Sequence, residues 1–349
     1  MDAAAAPSLS AADVRAAALE CRFALVGLAR AEPLDAAPLA SWLANGYAAD
    51  MGWMRERLDE RLDPAAVLPG ARTVIALALP YRGDPEPSPI ARYARGRDYH
   101  YAHRDGMKAL RKRLLALDPT LRSYACVDTG VAMEKVWAER AGLGWIGKNG
   151  CLIHPRHGSW LTLSVMFLDR AVDLYDAPQP ELCGTCDRCL RACPTRAFPA
   201  PGVVDARRCL SYQTIENHAP APAELRPRFK GHAFGCDVCQ EVCPYNEAAE
   251  PLPDDARVAE RAIGGMGAAE LAALGREEFA RLASGTPLMR PGYRGVRKSA
   301  LYALGAARDA SARPVVARLV NDPDPVVADA ARWALARIGE RGDGPGSDA

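Results

Sequence analysis

Seven cysteines in two short blocks are the residues of this chain with the most recognisable chemistry. The first block reads C-x2-C-x2-C-x3-C-P and the second reads C-x2-C-x3-C-P. The two blocks consist of Cys183, Cys186, Cys189 and Cys193 before Pro194, and Cys236, Cys239 and Cys243 before Pro244. The longer spacing is typical of a bacterial ferredoxin-like module that binds 4Fe-4S clusters through thiolates. The sequence therefore predicts a protein that transfers electrons.

The order of the cysteines predicts how they divide between two clusters. In a complete run the first three thiolates bind one cluster and the fourth binds its neighbour. The first cluster is therefore expected to have the ligands Cys183, Cys186, Cys189 and Cys243. The second is expected to have Cys193, Cys236, Cys239 and, as the nearest unassigned thiol, Cys209. Structural zinc sites of four cysteines also use C-x2-C pairs and stand as the alternative, but the three-cysteine run and both Cys-Pro endings favour iron-sulfur.

Composition places this chemistry in an intracellular setting. The chain has 349 residues, a formal net charge of +1 and 49% hydrophobic residues, which suits a folded protein of two or three domains. The first twenty residues lack the basic start and long apolar core of a secretory signal, and no apolar run is long enough to span a bilayer. We therefore expect a cytoplasmic protein without membrane contact. The remaining thiols, Cys21, Cys126 and Cys151, lie in apolar contexts typical of buried, inert cysteines.

The elements that must position the cysteines change along the chain. Residues 1–175 alternate helical stretches, such as Ala11 to Glu20 and Leu39 to Leu43, with short apolar runs rich in β-branched residues. These runs predict strands of an α/β or α+β domain. They are Phe23 to Leu28, Thr73 to Leu79, Ser123 to Val127 and Leu161 to Leu168. A turn at 155–158 between two apolar segments predicts a hairpin, and with it a mixed sheet.

Two further segments follow the predicted sheet domain. Residues 176–250 hold the cluster ligands in Pro- and Gly-containing loops, and we expect metal binding to stabilise this module more than a core does. Beyond the joint Pro251-Leu252-Pro253, residues 251–340 read as helices. There VRKSALYALG recurs loosely as VADAARWALARIG, which predicts HEAT-like paired-helix repeats. The tail 341–349 is expected to be flexible.

Basic residues cluster locally although the net charge is close to zero. Between positions 92 and 113 eight basic residues stand against two acidic ones. The eight are Arg92, Arg95, Arg97, Arg104, Lys108, Arg111, Lys112 and Arg113. Further basic groups fall at 226–230 and 290–298. Such clusters could bind a nucleic-acid backbone, although a solvated helix face explains them equally well.

Several motifs, taken in order, resemble the epoxyqueuosine reductase family. They are ARYARGRDYH at 91–100, VDTG at 127–130, EK at 134–135, AGLGWIGKN at 141–149, both cysteine blocks and the helical repeats. The similarity extends from about Trp53 to Ile338. It implies a cobalamin-dependent iron-sulfur oxidoreductase that converts epoxyqueuosine at the wobble position of tRNA to queuosine, the last step of queuosine biosynthesis. It also implies that the N-terminal domain binds the corrinoid, as the corresponding domain of reductive dehalogenases does.

The resemblance also implies roles for individual residues. Asp128, in the Asp-Thr-Gly motif, matches the family's proton donor, and we expect burial at a strand end to raise its pKa. A helix N-cap is the alternative role for Asp128. Cobalamin contacts are expected from Tyr93, Tyr99, His100, Asp128, Lys148, Asn149, Ser211, Tyr212, Asp237 and Val238. Contacts with tRNA are expected from Arg95, Arg97, Lys230, Arg294, Arg297 and Lys298.

Other functions compete with this one. A two-cluster ferredoxin-like electron carrier, whose helical tail docks a protein, would need no corrinoid. A corrinoid reductase acting on a small organic halide is disfavoured by the basic segments and the helical tail. For the leading hypothesis we expect tRNA as substrate, an external one-electron donor of the flavodoxin or ferredoxin type, and a monomer.

Overall fold

Residues 9–81, 86–252 and 259–339 are described by a computed structural model of the chain. They form two units, each assembled from three separate segments. Of the described residues, the first unit contains 9–81, 98–205, 238–252 and 259, and the second contains 86–97, 206–237 and 260–339. The cysteine-rich segment 176–250 therefore contributes to both units. The predicted flexible tail and Pro253 of the predicted joint lie outside the described residues.

A four-stranded sheet forms the middle of the first unit, and a two-stranded ladder lies apart from it. The six strands are β1 (Leu25–Arg30), β2 (Thr73–Pro80), β3 (Ser123–Cys126), β4 (Trp145–Ile146), β5 (Leu152–Ile153) and β6 (Leu161–Leu168). The larger sheet has the order β1-β2-β6-β3, and β4 pairs with β5. In the register Ile75 of β2 faces Leu28 of β1 and Met166 of β6.

The α/β class is confirmed, but the expectation of a mixed sheet is wrong for the strands that the structure describes. Every ladder joining two of them is antiparallel. The predicted hairpin also differs, because β5 pairs back to β4 while β6 inserts between β2 and β3. The short turn at 155–158 is present, with His154 and Gly158 bonded across it. The strand after this turn, Leu161–Leu168, pairs with β2 in the larger sheet instead. Every residue of β2 is buried, so this pairing buries more apolar surface than a hairpin with the two-residue strand β5 would.

Helices cover both faces of the larger sheet. Ile75, Leu77 and Leu79 of β2 pack with residues of two helices on one face, and Val74, Ala76 and Ala78 pack on the other face, where Trp137 lies. This alternation follows from the two-residue period of a strand. The helices of the first unit are α1 (Ala11–Glu20), α2 (Ala37–Ala44), α3 (Leu58–Leu62), α4 (Pro64–Val67), α5 (Tyr99–Leu117), α6 (Glu134–Arg140), α7 (Arg188–Ala192), α9 (Val238–Glu241) and α10 (Pro244–Glu247).

A glycine in β1 explains how closely α6 approaches the sheet. A Cβ atom added at Gly27 would lie 2.1 Å from the carbonyl oxygen of Ala141, directly after α6. No larger residue fits at this position without moving backbone. The close contact holds the C-terminal end of α6 against β1. The start of the helix lies near the end of β3, where Cys126 bonds to Glu134 and the Asp128-Thr129-Gly130 loop follows.

The second unit is helical, as predicted, and its longest helix is its core. Residues Gly295 to Gly305 of that helix are all buried, and Asp324 caps the last helix by accepting the N–H groups of Val326 and Val327. The helices are α8 (Leu210–Ile215), α11 (Ala268–Ala273), α12 (Arg276–Ala283), α13 (Gly292–Ala307), α14 (Arg313–Arg318) and α15 (Pro325–Gly339). No helix in the described ranges of either unit is long and apolar enough to cross a membrane.

Candidate functional site

The first predicted set of cluster ligands is gathered within the first unit. Cys183 and Cys243 pack against the same buried side chain, Trp145. Burial and the neighbouring Cys183 and Cys243 thiols raise the pKa of Cys189 to about 11. Burial likewise raises the pKa of Cys243, and Cys186 contributes to that increase. These mutual effects require the four thiols to lie near one another.

Polar groups outside the cysteine blocks hold this ligand loop. The indole Nε1 of Trp145 donates to Sγ of Cys183 over 3.4 Å. The ammonium group of Lys148 donates to the carbonyl oxygens of Gly184, at 2.5 Å, and Cys186, at 2.9 Å. Donors beside a thiolate favour its negative charge, as hydrogen bonds to cluster sulfurs do. The loop is thus shaped for an anionic metal cluster.

The arrangement of the thiols differs from a site for one ion. Among the described residues, no three His, Cys, Asp or Glu side chains form a group that could hold a single metal ion.

The second predicted set is distributed between the two units. Cys193 and Cys239 belong to the first unit, and Cys209 and Cys236 to the second. Cys193 accepts a hydrogen bond from the N–H of Ala197 at 3.3 Å. The assignment of these four thiols to a second cluster stays a prediction. Of the three remaining cysteines, Cys21 and Cys126 are buried and Cys151 is half-buried.

An acid–base group lies at the end of β3. His100 Nε2 is 3.3 Å from Oδ2 of Asp128, and its Nδ1 is 2.7 Å from Oδ1 of Asp98. Burial alone would lower the pKa of His100, but the ion-pair contact with Asp128 and the hydrogen bond with Asp98 outweigh it and raise the pKa to about 9. His100 therefore carries a proton at neutral pH. Asp98 also caps α5 by accepting the N–H of His100 at 2.9 Å.

The structure corrects the expected environment of Asp128. Its side chain is 60% exposed, so the burial expected at the strand end is absent. Nor is Asp128 an N-cap, because α6 begins only at Glu134 and its cap residue is Met133. The backbone of Asp128 has φ of 50°, in the left-handed region that aspartate tolerates better than most residues. This turn projects the carboxylate outward beside His100.

A buried thiol and a half-buried carboxyl group lie below the Asp128 loop. A Cβ atom added at Gly130 would lie 2.0 Å from Sγ of Cys126, so only glycine fits there. Cys126 donates to Oε1 of Glu134 over 3.5 Å. Burial raises the pKa of Glu134 to about 7 and that of Cys126 to about 12, so the thiol stays protonated. Sequence reasoning assigned no role of their own to Asp98, Cys126, Glu134 and Trp145, although Asp98, Glu134 and Trp145 lie within the matching motifs and Asp98 stands only two residues before its partner His100.

The expected cobalamin contacts fall into separate groups. Tyr99 stacks on His100 with 4.4 Å between ring centroids, close to Asp128. Lys148 and Asn149 donate to carbonyls of the cysteine loops, that of Cys239 in the case of Asn149, and their contact with cobalamin stays a prediction. In the second unit, Asp237 accepts the N–H of Arg92 at 2.8 Å, next to Tyr93. Ser211 and Tyr212 on α8 are half-buried, and so is Val238 at the start of α9 in the first unit.

Three of the residues expected to contact tRNA are buried, which contradicts that expectation. Arg95 is buried and donates to the carbonyls of Ile90 and Glu86. Arg297 and Lys298 are buried on α13, where Arg297 pairs with an aspartate at 2.8 Å. Their donors face protein groups, so they have no surface for a nucleic acid. Arg97 is half-buried, while Lys230 and Arg294 are exposed.

Three sequence profiles match the chain. Residues 61–129 match "Epoxyqueuosine reductase QueG, DUF1730". Residues 182–246 match a 4Fe-4S double cluster binding domain, and residues 288–345 match HEAT repeats. The double-cluster profile spans both cysteine blocks. The predicted iron-sulfur chemistry and helical repeats are therefore confirmed.

Known proteins match over most of the chain. The epoxyqueuosine reductase of Gloeobacter violaceus is 44% identical over 317 residues, 87% of this chain and 98% of that protein. A crystal structure of an epoxyqueuosine reductase with an epoxyqueuosine-modified tRNA stem loop has a TM-score of 0.86 at 29% identity, covering 94% of this chain and 90% of that one. The Bacillus subtilis enzyme, solved with its catalytic aspartate loop swung out of the active site, has a TM-score of 0.83 at 28% identity over 94% and 90% of the two chains.

Proposed function

Because the chain belongs to the epoxyqueuosine reductase family, we propose that it reduces epoxyqueuosine to queuosine while that base is part of a tRNA. Enzymatic reduction of epoxyqueuosine follows from the family; the tRNA substrate is supported by the relative solved with a modified tRNA stem loop. One structural observation carries the proposal. The unit that gathers the first set of cluster thiols also presents an exposed carboxylate, Asp128, beside a histidine that holds a proton at neutral pH.

The reaction defines what the protein must supply. Opening the epoxide and forming the alkene breaks two carbon–oxygen bonds, consumes two electrons and two protons, and releases water. An alkoxide is a poor leaving group unless it is protonated as the bond breaks, so a placed acid lowers the barrier. Electrons must arrive one at a time through the clusters. The site therefore needs both an electron route and a proton source.

For the electron route we assign the first cluster to Cys183, Cys186, Cys189 and Cys243. The assignment is supported by the packing of Cys183 and Cys243 on Trp145 and by the effect of these two thiols on Cys189. We assign the second to Cys193, Cys209, Cys236 and Cys239 from their spacing in the sequence. Next to the first set, Leu182 is 43% exposed, which leaves this loop accessible from solvent. An external one-electron donor of the flavodoxin or ferredoxin type would reach the first cluster here, and the protein would act as a monomer.

For the proton source we assign a pair. His100 holds the proton, because its pKa of about 9 keeps it charged at neutral pH. Asp128 is the group that reaches the leaving oxygen, because its carboxylate is exposed while the His100 side chain is only 17% exposed. Asp128 is a carboxylate while His100 is charged, so the proton that Asp128 relays to the leaving oxygen comes from His100 across the 3.3 Å contact as the carbon–oxygen bond breaks, and His100 is left neutral. Asp98 stabilises the imidazolium from the opposite side.

Cobalamin is the further cofactor that the family implies. Some of the residues expected to contact it form a suitable surface, and others bind protein groups. Tyr99, His100 and Asp128 form an aromatic and acidic surface that could face a corrin ring, whereas Lys148 and Asn149 are committed to the cysteine loops. When bound, cobalamin would supply a reduced cobalt centre able to attack the epoxide carbon or deliver electrons to it. The protein's own part is to orient the base and hold the proton.

The reaction is tested by an anaerobic assay of the iron-reconstituted protein. Epoxyqueuosine-containing tRNA and a strong reductant are supplied with and without cobalamin, and nucleosides are read by mass spectrometry. Loss of one oxygen atom only with cobalamin would support both the substrate and the cofactor. No conversion by a protein with a full complement of iron and sulfide would favour the electron-carrier hypothesis.

Replacing Asp128 tests the proton source. Asp128→Asn keeps the size of the side chain but removes the proton-transferring carboxylate, so we expect turnover to fall about 10²-fold or more. Visible and EPR spectra of the clusters should not change. Asp35→Asn, at an exposed position of the same unit, is the matched control and should retain full activity. Near-normal turnover by Asp128→Asn would remove this residue from the acid role.

A further inference from the structure

The exposed face of α5 carries four basic residues with helical spacing. Arg104, Lys108, Arg111 and Lys112 are all exposed. At 100° per residue they occupy one side of the helix, opposite the face formed by Ala102, Gly106, Leu110 and Leu114, which is buried against the sheet. We call these four residues the α5 basic stripe. It spans about 12 Å along the helix axis.

Most of the basic residues that the sequence analysis noted at 226–230 and 290–298, in the second unit, differ from the stripe because they contact protein groups. Arg290 pairs with Glu216 at 3.0 Å, and Arg226 pairs with Asp329 at 3.0 Å. Arg297 pairs with Asp322, and Arg294 lies 3.9 Å from Asp324. Lys298 donates to the backbone of a loop. Much of the positive charge predicted for 226–230 and 290–298 is thus neutralised or buried inside that unit.

The stripe keeps its charge free for a ligand. In the described part of the chain, no carboxylate forms an ion pair with Lys108, Arg111 or Lys112. Arg104 contacts only the carbonyl of His100 and the ring of Tyr101 by hydrogen bond and cation–π geometry, although the Asp98 carboxylate is near enough to feel its charge. Arg113, just beyond the stripe, is paired with Glu20 of α1. Asp105 is the exposed acid on this stretch of α5, so the face remains positive.

The position of α5 links the stripe to the proton-transfer pair. The helix starts at Tyr99, with Asp98 as its cap, and His100 in its first turn contacts Asp128. Arg104 is one turn further along, at a rise of about 6 Å, and Lys112 is about 18 Å from His100 along the axis. A polyanion whose reacting base lies at Asp128 could therefore extend along the stripe.

We propose that the α5 basic stripe binds the phosphate backbone of the tRNA stem next to the modified base. The inference rests on the proposed function, which makes tRNA the substrate. Phosphate contacts fix the register of a nucleic acid without reading its sequence, which suits an enzyme whose specificity lies in one modified base. The other polyanionic partner, an acidic electron-donor protein, is an outcome that the test separates.

The test compares charge reversals in the reconstituted holoenzyme. The stripe variant combines Lys108→Glu, Arg111→Glu and Lys112→Glu. The matched control combines Arg276→Glu, Arg281→Glu and Arg318→Glu, three exposed basic residues of the second unit. The KM and Kd for epoxyqueuosine-containing tRNA and the KM for the reduced donor are measured at several salt concentrations. Iron content and circular dichroism establish that both variants fold.

We expect the stripe variant to raise Kd and KM for tRNA at least tenfold, with kcat nearly unchanged. The slope of log affinity against log salt should become shallower by about one for each phosphate that the protein no longer neutralises. The control should change the same constants less than twofold. Equal effects of the stripe variant and the control, unchanged tRNA binding by a folded stripe variant, or a rise confined to the donor's KM would each overturn the proposal. Absence of conversion by the wild-type protein would instead count against the proposed function itself.

Discussion

At the scale of single residues, the protein keeps a charged histidine close to solvent by placing it between two carboxylates. Burial favours neutral imidazole, and one carboxylate within hydrogen-bond distance offsets only part of that cost. Two of them, Asp98 and Asp128, raise the pKa of His100 to about 9. Burial would raise the pKa of Asp98, but its hydrogen bonds with His100 hold it below the usual value. The three side chains therefore share charge and act as one group.

This group predicts an alkaline limit of activity. The pKa of His100 is raised from 6.5 to about 9, so the folded protein keeps the histidine charged until the pH approaches 9. The contribution of this proton to stability is complete below pH 6.5 and is lost as pH rises through about 9. We expect turnover to fall near pH 9, and we expect His100→Gln to lower the rate at neutral pH and to remove that fall. Single-turnover rates with excess reductant at several pH values would measure both effects.

His157→Gln provides the comparison for His100. His157 also lies in the first unit, but its ring contacts only the backbone oxygen of Glu250 and the ring of His154. Its pH–rate profile should match that of the wild-type protein. If His100→Gln retained the same alkaline fall, the proton would have to come from another group.

At the scale of elements, the Asp128 loop and the α8 segment are each held by one buried side chain. Sγ of Cys126 fills the space below Gly130. Lys298, 1% exposed, donates to the carbonyls of Gln213 and Asn217 and, at 3.4 Å, of Ala219, which lie at and beyond the end of α8. Carbonyls after a helix C-terminus lack helical donors, and a buried ammonium group satisfies several of them together.

The packing of Cys126 against Gly130 in the Asp128 loop can be tested with a single and a double variant. Gly130→Ala would place its Cβ 2.0 Å from Sγ of Cys126, so the loop must shift, and we expect turnover to fall about tenfold, as small misplacements of catalytic groups do. Combining it with Cys126→Ala removes the sulfur and should recover most of the loss. Failure of the double variant to recover would mean that the clash is not the cause.

Lys298 is expected to matter for stability more than for tRNA binding. Lys298→Met leaves buried carbonyls without a donor, at a cost of about 1–3 kcal/mol, so the melting temperature should drop. Lys230→Met changes an exposed residue and should leave the melting temperature close to that of the wild type. Differential scanning calorimetry under anaerobic conditions would measure both. A reduced affinity for tRNA without loss of stability would restore Lys298 to the binding surface.

At the scale of the whole molecule, the second predicted set of thiols comes from chain segments that belong to different units. Cys209 is the one predicted ligand of this set outside the cysteine blocks, and it lies at the cap of α8. We expect Cys209→Ala to remove about half of the iron and the EPR signal of one cluster, and to leave the Cys183 loop loaded. Cys21→Ala, at a buried thiol elsewhere, should keep both clusters. Full iron content in Cys209→Ala would place the missing ligand elsewhere.

The parts of the fold that depend on local pattern could be predicted from the sequence. The strand Leu161–Leu168 and the helix Ala11–Glu20 have the predicted bounds, because their apolar periodicity is complete within them. Strand pairing could not be predicted in the same way, since β6 pairs with residues more than eighty positions earlier. The sequence likewise shows where the charged residues are but not what they bind. Lys298 was predicted to be a surface cation because the carbonyl groups that surround it come from residues far earlier in the chain, such as Gln213.

The division of each unit into separate segments has a consequence for synthesis. The end of the sheet unit is closed by α9 and α10: Gln240 bonds to Tyr81, and Asn246 bonds to Ser159. A nascent chain that has left the ribosome only as far as residue 205 therefore lacks the last side chains that this unit needs. Folding must wait for long-range contacts, which form slowly. A truncated gene product or a stalled ribosome would thus leave Tyr81 and Ser159 without the side chains that bond to them in the complete unit.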